Sequence, residues 1–220
     1  MPKATFSKIA PEKRRRVLRQ AARLFAERGY AATDMAELAE RCGVAKGSIY
    51  NYFESKEDLY YYVCLDGLER SRRAVYGEGE PTRDIYQLVQ QIFERGMVFA
   101  EDHPEYVALY LGVAAGPAGP LADEISLQVE QFTAELLKQT IRRGMAEGIV
   151  RRDLDVNLAA FLINSLYIIF VSSLVSRHFK LRMKQYLEIE GRVTAAAARE
   201  QVRRTIDMIG DILRPRVPQE

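Results

Sequence analysis

Between Thr33 and Lys56 the chain gathers side chains that suit hydrogen bonding to a polyanion. Lys46, Gly47, Ser48, Tyr50, Asn51 and Tyr52 fall outside the apolar positions Ile49 and Phe53, which are four apart and face inward on a short helix. A glycine lets a backbone come close to a surface. Ser48 and Tyr50 can bond phosphate or base edges, Asn51 can pair with a base edge, and Tyr52 can pack on sugar or a thymine methyl. Catalytic alternatives are thin. His103 precedes Pro104 in a turn, and His178 sits among Arg177 and Lys180; neither belongs to a metal-ligand cluster. Tyr52 and Lys56 have the Tyr-xxx-Lys spacing of a proton-relaying pair in nicotinamide-dependent dehydrogenases. No dinucleotide glycine fingerprint precedes them, and no strand-helix alternation exists to hold the cofactor. Gly77 and Gly79 read as a turn rather than a phosphate loop. Nucleophile elbow, P-loop and Cys-xx-Cys are absent, so the pattern predicts no catalytic residues, no metal, no cofactor and no enzyme.

The elements that must position these groups follow from hydrophobic spacing. Residues 11–29 read as a first helix, with Val17, Leu18, Ala21, Leu24 and Phe25 on one stripe and Gly29 as its stop. Lys13, Arg14, Arg15, Arg16, Arg19 and Arg23 crowd its remaining surface, and the early ones are expected to meet phosphate. Thr33 is the expected N-cap of a second helix, whose buried face is Met35, Leu38, Ala39 and Cys42. Gly43 then turns the chain into the third helix, about 45–53. Ser55, with Asp58 three residues on, is close to a capping box for a fourth. Lys56 lies in that helix's first turn, where the dipole disfavours a cation unless an anion is nearby; a DNA phosphate would supply one. Helix, glycine turn and helix form the sequence pattern of a helix-turn-helix, whose second helix enters the major groove.

Bulk properties agree with a globular protein. The 220 residues are 48% hydrophobic and 28% charged. The net charge of +2 hides an asymmetry: residues 1–56 hold 12 Lys/Arg against 6 Asp/Glu, and the remainder 20 against 24. A basic head on a mildly acidic body suits a polyanion partner for the head. Cys42 and Cys64 are too few for a disulfide framework and fit a reducing cytosol. The basic N-terminus has no apolar run after it, so no signal peptide is expected. The run 158–175 is broken by Asn164, Ser165, Ser172 and Ser173 and is expected to be buried in protein rather than in a membrane.

Residues 24–59 resemble the DNA-binding domain of the TetR family of bacterial transcriptional regulators. The pattern stands here as LFAERGY, T..AELAERCGV, AKGSIYNYF and SKEDL. Cys42 replaces a usual Ala, and Asn51 an often-seen His, which could alter the operator that is read. The resemblance implies a DNA-contacting set of Thr33, Lys46, Gly47, Ser48, Tyr50, Asn51, Tyr52 and Lys56. It also implies an all-α chain of about nine helices: a three-helix head over 1–56, then a ligand-binding and dimerisation domain over 57–220.

Spacing in the body predicts a break at 76–81, helices near 82–102 and 106–113, and another break at 116–120. A long helix over 121–147 and one from Asp155 to about residue 179 follow, then a loop near 187–194 and a last helix over 195–213. Phe93, Met97, Tyr106, Tyr110, Phe132 and Tyr167 are either plain core or the lining of an apolar cavity with a few hydroxyls; the resemblance favours a small apolar or amphipathic effector there. Leu162, Leu166, Ile169 and Ser173 on the penultimate helix are the expected dimer contacts. Val202, Ile206, Ile209 and Leu213 on the last helix form a coiled-coil-like seam that would complete a four-helix bundle across a twofold axis. The expected protein is thus a cytoplasmic homodimeric repressor on a palindromic operator. Its recognition helices would enter successive major grooves ~34–36 Å apart. A DNA-binding regulator with no effector and a Tyr52/Lys56 oxidoreductase are the alternatives.

Overall fold

A computed structural model describes residues 2–115, 120–191 and 193–215, and these form eleven helices and no strand. They are α1 (Ala4–Ser7), α2 (Pro11–Ala32), α3 (Met35–Cys42), α4 (Lys46–Tyr52), α5 (Lys56–Tyr76), α6 (Ile85–Asp102), α7 (Pro104–Ala115), α8 (Pro120–Glu147), α9 (Val156–Val175), α10 (Arg177–Tyr186) and α11 (Ala195–Leu213). The expected break at 116–120 falls largely on residues outside the described ones.

Two helices exceed the nine expected. The first, α1, is a single turn whose one buried residue is Phe6, too short to show any period. The second arises where the penultimate helix stops early. Ser176 is extended (φ −96°, ψ 125°) and serves both as C-cap of α9 and N-cap of α10. Serines compete with the helix for backbone groups, and Ser173 Oγ donates to the Phe170 carbonyl (2.6 Å) just before this break.

The chain divides into two compact units. The first comprises Met1–Arg70 and His103–Leu127. Its core is the apolar stripe of α2 (Val17, Leu18, Ala21, Leu24, Phe25) with Leu38, Ile49, Phe53, Leu59 and Val63, all buried. There α2 packs on α3 and α7, and α3 on α4. In α7, Glu105 is buried and its carboxylate meets Arg19 Nε of α2 (3.4 Å). Arg41 ties α2 to α3 by bonding Glu27 (2.8 Å) and Glu37 (2.6 Å).

The second unit comprises Ser71–Asp102 and Gln128–Glu220. Asp84 starts α6, its Oδ1 accepting from the amides of Tyr86 (2.7 Å) and Gln87 (3.1 Å). Asp155 caps α9 in the expected way through Asn157 (2.9 Å) and Leu158 (3.0 Å). The buried stripe of α6, Ile85, Leu88, Val89, Ile92 and Phe93, packs against α9 and α11, and α10 lies along α9. Val202, Ile209 and Leu213 of α11 are buried within this same chain. That corrects the reading of all four seam residues as contacts between copies: a period of alternating three and four marks an apolar face but not whose core it enters. On α9, Ser173 is buried as well, while Leu162 is exposed and Leu166 and Ile169 are half-buried.

Candidate nucleic-acid interface

The head is built from its turn outward. Asp34, not Thr33, caps α3: its Oδ1 accepts from the Ala36 amide (2.6 Å). Thr33 ends α2 instead. Its hydroxyl donates to the Gly29 carbonyl (2.7 Å) and the residue is buried, which does not fit the outward role expected of it. Gly29 itself kinks α2 at φ 73°. Gly43 closes α3 in the left-handed region (φ 65°), its amide donating to Glu40 (2.9 Å) while the Val44 amide donates to Ala39 (3.0 Å). That pair of bonds is a Schellman closure, which a side chain at residue 43 would strain.

The turn delivers α4 with Ile49 fully buried beneath it. Lys46, Gly47, Tyr50 and Asn51 are exposed, and Ser48 is half-buried. These positions follow i, i+1, i+4 and i+5, one continuous face. Open space surrounds the point where a Cβ on Gly47 would stand. Tyr52 is the exception: it is 7% exposed, against 42% for Tyr50. Its ring lies 5.6 Å from Phe6, which corrects its expected outward role. Position 52 is three residues from Ile49, so it shares that buried face.

Lys56 is also drawn inward. Its Nζ donates to the carbonyls of Ala31 (3.1 Å) and Thr33 (3.2 Å) and stands 4.8 Å over the Tyr30 ring. The partial negative charge of the carbonyls at the end of α2 offsets the unfavourable placement of this cation in the first turn of α5. Ser55 caps α5 as expected, but the return bond of the expected capping box falls one residue early, on Glu54 instead of Ser55. Ser55 Oγ accepts from the Asp58 amide (3.0 Å), and Asp58 Oδ2 accepts from the Glu54 amide (3.2 Å). With Tyr52 held by Phe6 and Lys56 by carbonyls, the Tyr–Lys pair is committed to packing.

Of the α2 cations, Arg14 donates to the Ser7 carbonyl (3.3 Å), Arg15 pairs with Glu12 (3.1 Å) and Arg19 with Glu105. Lys13 is half-buried, and Arg16 and Arg23 are exposed. Burial pushes the Cys42 thiol up to about 11 and the Cys64 thiol up to about 12.

The six aromatic and Met positions fall in different units. Tyr106 and Tyr110 belong to the first. Tyr106 is buried and donates its hydroxyl to Asp66 Oδ2 (2.9 Å), which also accepts from Arg70 Nε (2.6 Å). Burial, and then the charge of that carboxylate, raises the Tyr106 phenol above its ordinary value. Phe93, Met97, Phe132 and Tyr167 belong to the second unit. Phe93 and Met97 are buried on one face of α6, and the Phe93 ring lies 5.9 Å from that of Tyr167. Phe132 pairs with Tyr76 at 5.2 Å, with the Arg72 guanidinium 5.4 Å over its ring. Asn164 donates to Glu130 (3.1 Å) in the same unit. The sequence pattern marks Asn164 only as an interruption of an apolar run and residue 76 only as the start of a break, and it does not single out Thr133 or Glu130. Asn164 stands out as a polar residue on the apolar α9, but Tyr76, Glu130 and Thr133 lie on helices with many charged residues, where nothing in the pattern marks them as a site.

Residues 17–63 match the model of the family described as "Bacterial regulatory proteins, tetR family". The chain is 30% identical over 162 residues to the HTH-type transcriptional repressor KstR2 of Rhodococcus jostii (strain RHA1), an alignment covering 67% of this chain and 72% of that protein. It is also 30% identical over 156 residues to YerO, an uncharacterized HTH-type transcriptional regulator of Bacillus subtilis (strain 168). That match covers 68% of this chain but 52% of YerO, so the chain spans about half the length of that relative. Among solved structures, the crystal structure of a TetR family transcriptional regulator from Chloroflexus aurantiacus J-10-FL is similar with a TM-score of 0.72 and 25% identity, covering 98% of this chain and 100% of that one.

Proposed function

Because the chain belongs to the tetR family of bacterial regulatory proteins, we propose that it is a cytoplasmic, ligand-responsive repressor that binds a palindromic operator as a homodimer. Residues 1–56 are its reading head and 57–220 its effector-binding and dimerisation body. The observation that carries this reading is α4. Four groove-compatible residues, Lys46, Gly47, Tyr50 and Asn51, stand exposed on one side of a helix whose other side is buried. In the major groove, Asn51 reads a base edge and Tyr50 bonds phosphate or a base, while Lys46 neutralises backbone charge. The name of KstR2 as a repressor supports the direction of regulation.

The effector is a small apolar or amphipathic molecule taken up in the body. The Tyr76–Thr133 pair at the Phe132 ring, and the Asn164–Glu130 and Phe93–Tyr167 contacts elsewhere in the same unit, combine hydroxyl and amide groups with aromatic surface, which supports a ligand with a polar end and an apolar body. It acts through a lower affinity for the DNA-bound state, the condition for any ligand to shift a two-state equilibrium.

The test is enrichment of a random duplex pool on the full-length protein, followed by mobility shift on the enriched sequence. Wild type is expected to bind that duplex far more tightly than a scrambled one, with an affinity that falls steeply with salt as counterions are released. Failure to enrich any sequence would defeat the reading. Native mass spectrometry of the purified protein tests the effector: a co-purified small molecule whose addition leaves duplex affinity unchanged would refute the coupling.

A further inference from the structure

Helix α4 has seven residues, and its final carbonyls have no helical partner. The Ile49 carbonyl is satisfied by the Phe53 amide (3.0 Å). The next three are met in turn by the N-terminal segment. Lys3 Nζ donates to the Tyr50 carbonyl (3.0 Å), Thr5 Oγ1 to the Asn51 carbonyl, and the Lys3 amide to the Tyr52 carbonyl (2.8 Å). A lysine ammonium at this end also complements the negative pole of the helix.

The segment is itself anchored. Phe6 is 1% exposed and lies 4.8 Å from Phe53, 5.6 Å from Tyr52 and 6.0 Å from Tyr62. Ser7 Oγ donates to the Ala4 carbonyl (2.8 Å), and Arg14 of α2 donates to the Ser7 carbonyl. Its donors therefore stand at fixed points around the end of α4.

We propose that residues 3–6 are a brace that positions the recognition helix, with Lys3 and Thr5 as positioning residues and Phe6 as their anchor. The two carbonyls capped by side chains belong to Tyr50 and Asn51, the residues whose side chains face the groove in the proposed reading, on which this inference rests. A helix this short does not hold its last turn by itself. With the carbonyls capped, Tyr50 and Asn51 keep one register. Without them the last turn frays, and base reading is lost before phosphate attraction is.

The experiment compares wild type with Lys3→Met, Lys3→Arg, Thr5→Val and Thr5→Ser in the full chain. Met keeps the Lys stem and Val the Thr shape, but each lacks the donor; Arg and Ser restore one. Without DNA, hydrogen exchange of the 46–53 amides is expected to quicken in Lys3→Met and Thr5→Val, to return towards wild type in Lys3→Arg and Thr5→Ser, and to stay constant in α2. On the enriched duplex, the two donor-less variants are expected to bind about tenfold more weakly. Binding to a scrambled duplex, and the slope of log affinity against log salt, should not change. Unaltered exchange in both variants overturns the brace. So does a slope reduced by about one in Lys3→Met with exchange unaltered, which would make Lys3 a direct phosphate contact. If wild type enriches no sequence, the proposed function fails while the exchange arm still decides the brace.

Discussion

Tyr50 and Tyr52 are two residues apart, about 200° around a helix, and the structure gives them opposite work. Tyr50 is the exposed ring on the open face of α4; Tyr52 is core. Tyr50→Ala is expected to leave thermal stability unchanged and to cost about 1–3 kcal/mol of operator binding. Tyr52→Ala should lower unfolding stability by about 3 kcal/mol, because it empties a buried aromatic site. Chemical denaturation alongside mobility shift separates the two, and a Tyr50 variant with wild-type DNA affinity would remove it from the interface. Most of this face was legible in the sequence, since Ile49 sets the phase for every neighbour. Tyr52 was misread because its polar hydroxyl outweighed its i+3 position. Thr33 was misread because two good caps stand side by side, and only the end of α2 decides which is used. The thiols give a second residue-scale test. Burial raises both above the ordinary thiol value near 9, so folding favours the protonated form. That contribution to stability is intact at neutral pH and is lost as pH climbs through about 11 for Cys42. At about pH 8 an aromatic disulfide reagent should react with both cysteines at least tenfold more slowly in the native protein than in denaturant. One thiol reacting in the native protein as fast as in denaturant would show that it is accessible.

At the scale of elements, close approach between helices rests on single glycines. A Cβ on Gly96 of α6 would stand 2.4 Å from the Tyr167 ring of α9, and one on Gly67 of α5 would stand 2.5 Å from the Tyr106 ring of α7. Both rings are bulky and held, Tyr106 by its bond to Asp66 and Tyr167 beside Phe93. Gly96→Ala is therefore expected to destabilise by about 1–3 kcal/mol in urea denaturation, although alanine is the better helix former. Pairing it with Tyr167→Leu should recover part of that loss, since the smaller side chain vacates the contested space. A stabilised Gly96→Ala would mean that Tyr167 moves aside freely. None of this could be read in advance, because a glycine inside a helical period says that something comes near and not what. The short elements were hidden for a related reason. A single turn such as α1 has no period to detect, and its donors to α4 act across more than forty residues of sequence. The stop at Gly43 and the cap at Asp155 were legible because each acts on its immediate neighbours.

For the molecule as a whole, the question is what covers α9. By length and composition this helix could cross a membrane, and 39% of its apolar window is buried within the chain. It is nevertheless packed by α6 and α10 and starts at a capped Asp155. Leu158, Phe161 and Leu162 are exposed, at the i, i+3 and i+4 positions of a single stripe. On α11, Met208 and Ile212 are exposed while Val202, Ile209 and Leu213 turn inward. A sequence pattern alone does not separate these registers, since a chain's own core and a partner's select the same residue types. A second copy covering these stripes would produce the homodimer that a two-headed reader requires. Phe161, at 67% exposed, is the sharpest probe. Phe161→Glu is expected to sediment as a folded monomer without detergent and to lose operator affinity by far more than Tyr50→Ala, because half an operator holds one head weakly. Val202→Ala should instead lower stability and leave association unchanged. If Phe161→Glu still sediments as a dimer, the copies meet elsewhere. If wild type needs detergent to stay in solution, the exposed stripe of α9 serves lipid rather than a second chain.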